Sequence, residues 1–345
     1  MYSRNTGCRI TDQIIVNGNR AVIMENQKIR LMFLIDRGMD CVEMLFKPDD
    51  VDLMWRSPVK LHKRSDYLST TGDSLGNYLD HNSGGWQEIL PNGGGPCNYK
   101  GAALGMHGEI SNVPWICRIV KDEADEVVLQ AEIETLRSPF KLTKEISLKS
   151  GESCITIREK LKNLADEPMQ LMWGNHPTVG KPFLDETCHI DTNGKSCFSM
   201  EEQDFEEQRT QPGEKFLWPI SQNGTNFSKV PNEDTKTADM LYITDFPEDA
   251  WYKVYNERLN LSYGMSWDGR QFPYMWMWLV CRGSFGYPWY GRTYNLALEP
   301  WTSYPSGGLT KAIENKSAFS LQAQGETETE LKFWIYKGDL KNGIK

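Results

Sequence analysis

The chain has 345 residues, 39% of them apolar, with a net charge of −9 and a pI near 5.3. That is enough apolar material for a sizeable core, which excludes a disordered chain. The negative charge removes any electrostatic case for nucleic acid or anionic membrane partners, because both are polyanions. A neutral small molecule is the default ligand.

The first ten residues, Met1 to Ile10, lack an apolar signal core, and no run of about eighteen uncharged apolar residues follows. The expectation is a cytoplasmic protein. Cys8, Cys41, Cys97, Cys117, Cys154, Cys188, Cys197 and Cys281 are scattered without a C-x-x-C pair, which argues against a zinc ribbon or a redox motif.

Along the chain, Gly93-Gly94-Gly95-Pro96 lacks the lysine and spacing of a phosphate-binding loop and is expected to be a tight turn. Val127, Leu129, Ala131 and Ile133 alternate with mostly polar neighbours, as do Ile146 and Leu148, then Ile155 and Ile157 beyond Ser150-Gly151-Glu152-Ser153. That two-residue period predicts half-buried strands joined by a turn. The acidic run Glu201–Gln208 is expected to be a solvated loop without chemistry. Phe319, Leu321 and Ala323, then Leu331, Phe333 and Ile335 beyond Gly325-Glu326-Thr327, predict another hairpin. No apolar stripe of helical period persists for three turns, and 29 glycines and 17 prolines punctuate the chain. The fold class is mostly β, in one continuous domain over residues 1–345.

Few residues can carry chemistry. Among five histidines, His107 in Gly-Met-His-Gly-Glu and His176 in Trp-Gly-Asn-His-Pro lie in punctuated, loop-like surroundings. Either suits a hydrogen-bonded turn as well as a catalyst. Glu299 ends an apolar strand before Pro300, which is expected to interrupt pairing. A carboxylate desolvated by Trp301 and Tyr304 would make a competent general base. His107, Glu109, His176 and Glu299 could supply ligands to a divalent ion, yet no compact H-x-H or H-x-x-x-H pair is present, so neither metal nor cofactor is expected. No G-x-S-x-G elbow supports a serine nucleophile. Trp55, Trp86, Trp115, Trp173, Trp267, Trp276, Trp278, Trp289 and Trp301 are either core residues or platforms for sugar rings.

Taken together, these segments resemble the aldose 1-epimerase, or galactose mutarotase-like, superfamily, and within it the DUF4432 branch. The likeness runs through Leu34-Ile-Asp-Arg37-Gly-Met-Asp40, Val51-Asp-Leu-Met-Trp55-Arg-Ser-Pro58 and Trp86-Gln87-Glu-Ile-Leu-Pro-Asn-Gly-Gly94 to the His107, His176 and Glu299 motifs. It implies a large antiparallel β-sandwich, the galactose mutarotase-like super-sandwich. It also implies that Glu299 takes the proton of the anomeric hydroxyl while His176 protonates the ring oxygen, about one sugar ring away. His107 would assist at the ring oxygen, with Arg37, Gln87, Asn175 and Trp301 as substrate-binding residues. The chain departs from the family where Glu299-Pro-Trp-Thr replaces E-x-Q and Pro177 follows Asn-His, which places the substrate in question. A sugar lyase or epimerase, metal-assisted or not, and a non-catalytic carbohydrate-binding module remain open beside the isomerase. The expected partner is a small carbohydrate, and a homodimer through sheet edges is also open.

Overall fold

Alternating side chains of the kind found at Val127 to Ile133 bury one face of a strand and solvate the other. In the computed structural model, which describes residues 4–67, 72 and 76–339, strands built this way dominate. Glu126–Glu134 buries Val127, Leu129 and Ala131. Phe140–Lys149 and Cys154–Asn163 follow in antiparallel register, joined where Gly151 takes φ +76°. The longest helix among the described residues is the six-residue Leu309–Glu314, and none is long and apolar enough to cross a membrane.

The strands form two large antiparallel sheets. An eight-stranded sheet runs, edge to edge, through Cys188–Thr192, Asp249–Asn256, Leu261–Asp268, Glu326–Lys337, Cys154–Asn163, Phe140–Lys149, Glu126–Glu134 and Ile116–Asp122. A twelve-stranded sheet has at its centre Asp40–Phe46, Trp86–Ile89, Gly174–Val179, Tyr294–Trp301, Tyr274–Cys281 and Thr237–Thr244, in that spatial order. Their facing sides share one apolar cluster, and Trp86 of the larger sheet meets Phe333 of the smaller with ring centroids 5.5 Å apart. The mostly β fold expected from periodicity and the large antiparallel sandwich implied by the resemblance are both present.

The C-terminal hairpin is not. Phe319–Leu321 pairs with Met169–Leu171 in a separate two-stranded sheet, whereas Glu326–Lys337 lies between Leu261–Asp268 and Cys154–Asn163 in the eight-stranded sheet. Periodicity located both strands, but a two-residue period carries no information about which strand is the partner.

The core also contains charge. The Lys144 ammonium lies between Glu88, with which it is in close contact, and Glu159 at 3.2 Å, and Trp173 Nε1 donates to Glu88 at 2.8 Å. All three ionic side chains are buried. Glu88 comes from the larger sheet and the other two from the smaller, so the cluster ties the layers together. Burial alone would depress the Lys144 ammonium, but the two carboxylates more than offset this and hold it charged. Burial, reinforced by the neighbouring Glu88, pushes Glu159 up to about 8.

Candidate active site

The strand ladder of the larger sheet brings the chemically interesting residues into one row. Gln87 stands opposite His176, Glu299 opposite Trp276, and Trp276 opposite Tyr242. Gly174 pairs with Trp301 and Thr178 with Ala297, a register that sets His176 across from Glu299. Directly opposed residues share a face, so this row points away from the smaller sheet; His176, Glu299 and Trp276 reach an open cleft of about 770 Å³, while Gln87 and Tyr242 do not line it. Neighbouring Glu88 points the other way, into the core. Pro177 and Pro300 both lack an N–H, and the ladder between their strands has no pairs between Gly174–Trp301 and Thr178–Ala297. Pro300 thus interrupts pairing on this side only, because it still opposes Met275 on the other.

His176 Nε2 lies 3.5 Å from Glu299 Oε1. His176 is 6% exposed and Glu299 1%. The second carboxylate oxygen accepts from Trp301 Nε1 at 2.9 Å, and His176 Nδ1 meets Thr178 Oγ1 at 3.0 Å. With no cation beside it, Glu299 is pushed up to about 8 by burial, the Trp301 hydrogen bond opposing only part of the effect. Burial lowers His176 to about 4. Between those values the pair holds a single dissociable proton, on the carboxyl, 3.5 Å from the imidazole.

His107 stands beside this pair, its ring 5.4 Å from that of His176. It occupies the left-handed region at φ +53°, held there because its own N–H donates to Gly94 O at 3.0 Å while the Gly94 N–H donates to His107 Nδ1 at 3.2 Å. The second bond makes Nδ1 an acceptor, so the neutral ring carries its proton on Nε2. Burial, with the charge of His176 when present, keeps His107 well below the usual histidine range. The triple-glycine turn therefore does more than reverse the chain. It fixes the tautomer of a cleft histidine.

The remaining expected residues stand behind the cleft wall. Trp301 is fully buried, stacked under Trp276 at 4.1 Å and 16°. It lies so flat on the backbone that a Cβ at Gly174 would come within 2.2 Å of its ring, which is why that position has no side chain. Asn175 faces the core by strand alternation, where its Oδ1 accepts from Trp86 Nε1 at 3.0 Å. Arg37 Nη1 donates to Ser83 at 2.9 Å, and its Nε lies 3.3 Å from Asp40, whose carboxyl burial raises to about 7. Gln87 donates to Asp40 at 3.4 Å and to Asn82 at 3.3 Å, and accepts from the Tyr78 hydroxyl. Tyr78 in turn packs on His107 at 4.7 Å and lines the cleft. Arg37 and Gln87 thus reach the site through Tyr78 and His107.

The sequence profile of the domain of unknown function DUF4432 matches residues 16–335. The chain belongs to the DUF4432 family. No curated protein matches it. Among solved structures, a candidate aldose 1-epimerase from Klebsiella pneumoniae is 18% identical with a TM-score of 0.74, the match covering 95% of this chain and 83% of the other. A galactose mutarotase-like protein from Clostridium acetobutylicum is 15% identical with a TM-score of 0.68, covering 96% and 100%. A candidate aldose 1-epimerase from Escherichia coli K12 is 13% identical with a TM-score of 0.60, covering 96% and 100%. The fold is that of the galactose mutarotase-like sandwich.

In this DUF4432 chain the rest of the cleft comes partly from a segment whose sequence carried no functional signal and partly from tryptophans that the sequence had left as either core residues or sugar platforms. Asp204, Phe205, Glu206 and Glu207, from the acidic run expected to be an inert loop, form part of the wall. Asp204 accepts from Ser306 Oγ at 2.6 Å. Trp278 and Trp289 line the cleft, their rings 6.0 Å apart, and Trp55 packs on both. Trp86, Trp115, Trp173 and Trp267 belong to the core. Among the described residues no lysine or arginine lines the cleft, and no group of three His, Cys, Asp or Glu side chains is arranged to hold a metal ion.

Proposed function

We propose that the protein is a cofactor-independent isomerase that interconverts the anomers of an uncharged aldose by opening and reclosing its ring. The observation that carries this reading is the His176–Glu299 pair, 3.5 Å apart and both buried on the floor of an aromatic-walled cleft, where burial raises the carboxyl and lowers the imidazole. The pair is closer than one sugar ring. That spacing suits the reaction, because the anomeric and ring oxygens are both bonded to C1.

In the productive form the shared proton moves to His176, leaving Glu299 as carboxylate. Glu299 takes the proton of the anomeric hydroxyl, the O–H pair becomes the second C–O bond of the aldehyde, and the C1–ring oxygen bond breaks. The ring oxygen keeps that pair and receives the proton of His176. Rotation about C1–C2 and reversal of the steps reclose the ring in either configuration, leaving no net proton or redox change. Correctly placed acid and base groups contribute roughly 10²–10⁴-fold each. His107, protonated on Nε2, is placed to donate a hydrogen bond where charge builds on the ring oxygen. Trp278 and Trp289 give the sugar apolar faces to stack on. The absence of a cation in the described lining favours neutral sugars over uronates, phosphates and sulfonates.

The similarity to candidate aldose 1-epimerases and a galactose mutarotase-like protein supports the same reaction class. The test is NMR exchange spectroscopy of anomers across a panel of neutral aldoses, with and without chelator. Acceleration unaffected by chelator, and reduced at least 10²-fold in both Glu299→Gln and His176→Ala, is expected. If the wild-type protein accelerates no sugar in the panel, the reading fails.

A further inference from the structure

We propose that the cleft carries a second sugar subsite beyond the acid/base pair, built on Phe285 and Tyr287 with Glu206 and Glu207, and that the preferred substrate is an uncharged reducing disaccharide or longer oligosaccharide. The proposal rests on the isomerase reading, since it assigns what lies outward of the ring that opens.

The first argument is size. A hexopyranose occupies on the order of 200 Å³ at the packing density of organic matter, a fraction of the cleft's volume of about 770 Å³. The space extends outward from the acid/base pair along an aromatic path. His176 packs on Trp278 at 5.8 Å, Trp278 on Trp289 at 6.0 Å, and Trp289 belongs to the turn that carries Phe285 and Tyr287. Both outer rings line the same cleft, yet Phe285 is 51% and Tyr287 47% exposed. Large aromatic surface left open beside a polar cleft is a mark of a binding site.

The second argument is order. An exposed ring on a loose loop would have to be immobilised on binding, at an entropic cost. Here the turn is already held. The Gly291 N–H donates to Ser284 O at 2.7 Å, the Arg282 N–H to Thr293 O at 2.9 Å, and the Arg292 guanidinium to the carbonyls of Pro288 and Trp289, both at 3.3 Å. The Tyr287 hydroxyl donates to Asp80, whose second oxygen accepts from the Tyr67 hydroxyl at 2.9 Å. The aromatic rim is thereby fastened to the segment carrying Tyr78, which packs on His107.

The third argument is chemistry. The acidic run reaches the same end of the sheet: the Ala238 N–H donates to Glu207 O at 3.4 Å, and Ala238 pairs with Val280, two residues before Arg282. Carboxylates that accept from hydroxyls, combined with rings that stack on C–H faces, suit a neutral glycosyl unit. They repel an anionic one.

Anomer exchange of glucose compared with maltose, cellobiose and lactose tests this. The expected result is that kcat/KM for at least one disaccharide exceeds that for glucose at least tenfold, and that Phe285→Ala brings the ratio to about one, chiefly through KM. Ratios near one for every disaccharide with wild-type protein would overturn the subsite and leave the isomerase reading intact. If the wild type exchanges neither class, the isomerase reading fails, and titration of the same disaccharides followed by saturation-transfer NMR decides the subsite separately. Binding weakened at least fivefold by Phe285→Ala would then support it, and no binding or unchanged binding would overturn it.

Discussion

Two groups of buried titratable side chains lie on opposite faces of the larger sheet, one between the two sheets and one at the cleft, and they handle buried charge in different ways. Glu88 points into the core, where the Lys144 ammonium and the Trp173 indole satisfy it and Glu159 completes the cluster. On the other face of the sheet His176 and Glu299 line the cleft, where Glu299 has an imidazole and one indole N–H but no cation. Burial raises a carboxyl in each group, Glu159 in the core and Glu299 in the cleft. In the core Lys144 stays charged between two carboxyl groups and ties the layers together, whereas in the cleft no cation opposes the shift and the raised carboxyl borders space that a substrate can enter.

Breaking the compensated side has the largest expected effect. Lys144→Met leaves Glu88 and Glu159 buried without a cation and is expected to cost about 3–5 kcal/mol in denaturant unfolding. An unchanged midpoint would mean that the cluster contributes nothing to joining the sheets. On the uncompensated side the sign reverses. Because Glu299 is raised in the folded state, its contribution to stability is full below its unfolded value of about 4.5 and is lost as pH rises through about 8. Glu299→Gln removes that loss, so thermal scans should show the variant's melting temperature falling less than the wild type's from pH 5 to 9, a differential of a few kcal/mol. Parallel curves would contradict the raised carboxyl. The smallest effect is expected from Trp301→Phe, which deletes the donor to Glu299 Oε2. Losing a hydrogen bond to a charged acceptor should raise the Glu299 pKa further, by about one unit, visible as an upward shift of the alkaline limb of the pH–rate profile.

The mostly β fold was legible in the sequence because a two-residue period survives wherever one face is buried, as at Val127 to Ile133, while the sandwich arrangement followed only from the family resemblance. Pairing was not, since Phe319–Leu321 and Glu326–Lys337 carry the same period yet join different sheets. In the site, the glycine- and proline-rich surroundings of His107, His176 and Glu299 drew attention to side chains that the ladder does bring together. The acidic run at residues 201–208 carried the pattern of a solvated loop, and only its three-dimensional placement against Ser306 and the cleft aromatics gives it a place in the wall. Asn175 illustrates the converse. It adjoins His176 in sequence, and for that reason strand alternation sends it to the opposite face.

In the proposed reaction His176 and Glu299 share one proton, and neither works without the other. The pH–rate profile of anomer exchange tests it most directly. Above about 8 the pair loses its proton and has no acid, while below about 4 both groups are protonated and there is no base. The expected result is a plateau between those limits in the wild type, falling tenfold per pH unit outside them, with Glu299→Gln and His176→Ala each at least 10²-fold lower across the plateau. A rate that keeps rising with pH past 9, or full activity in either variant, would contradict the shared-proton mechanism.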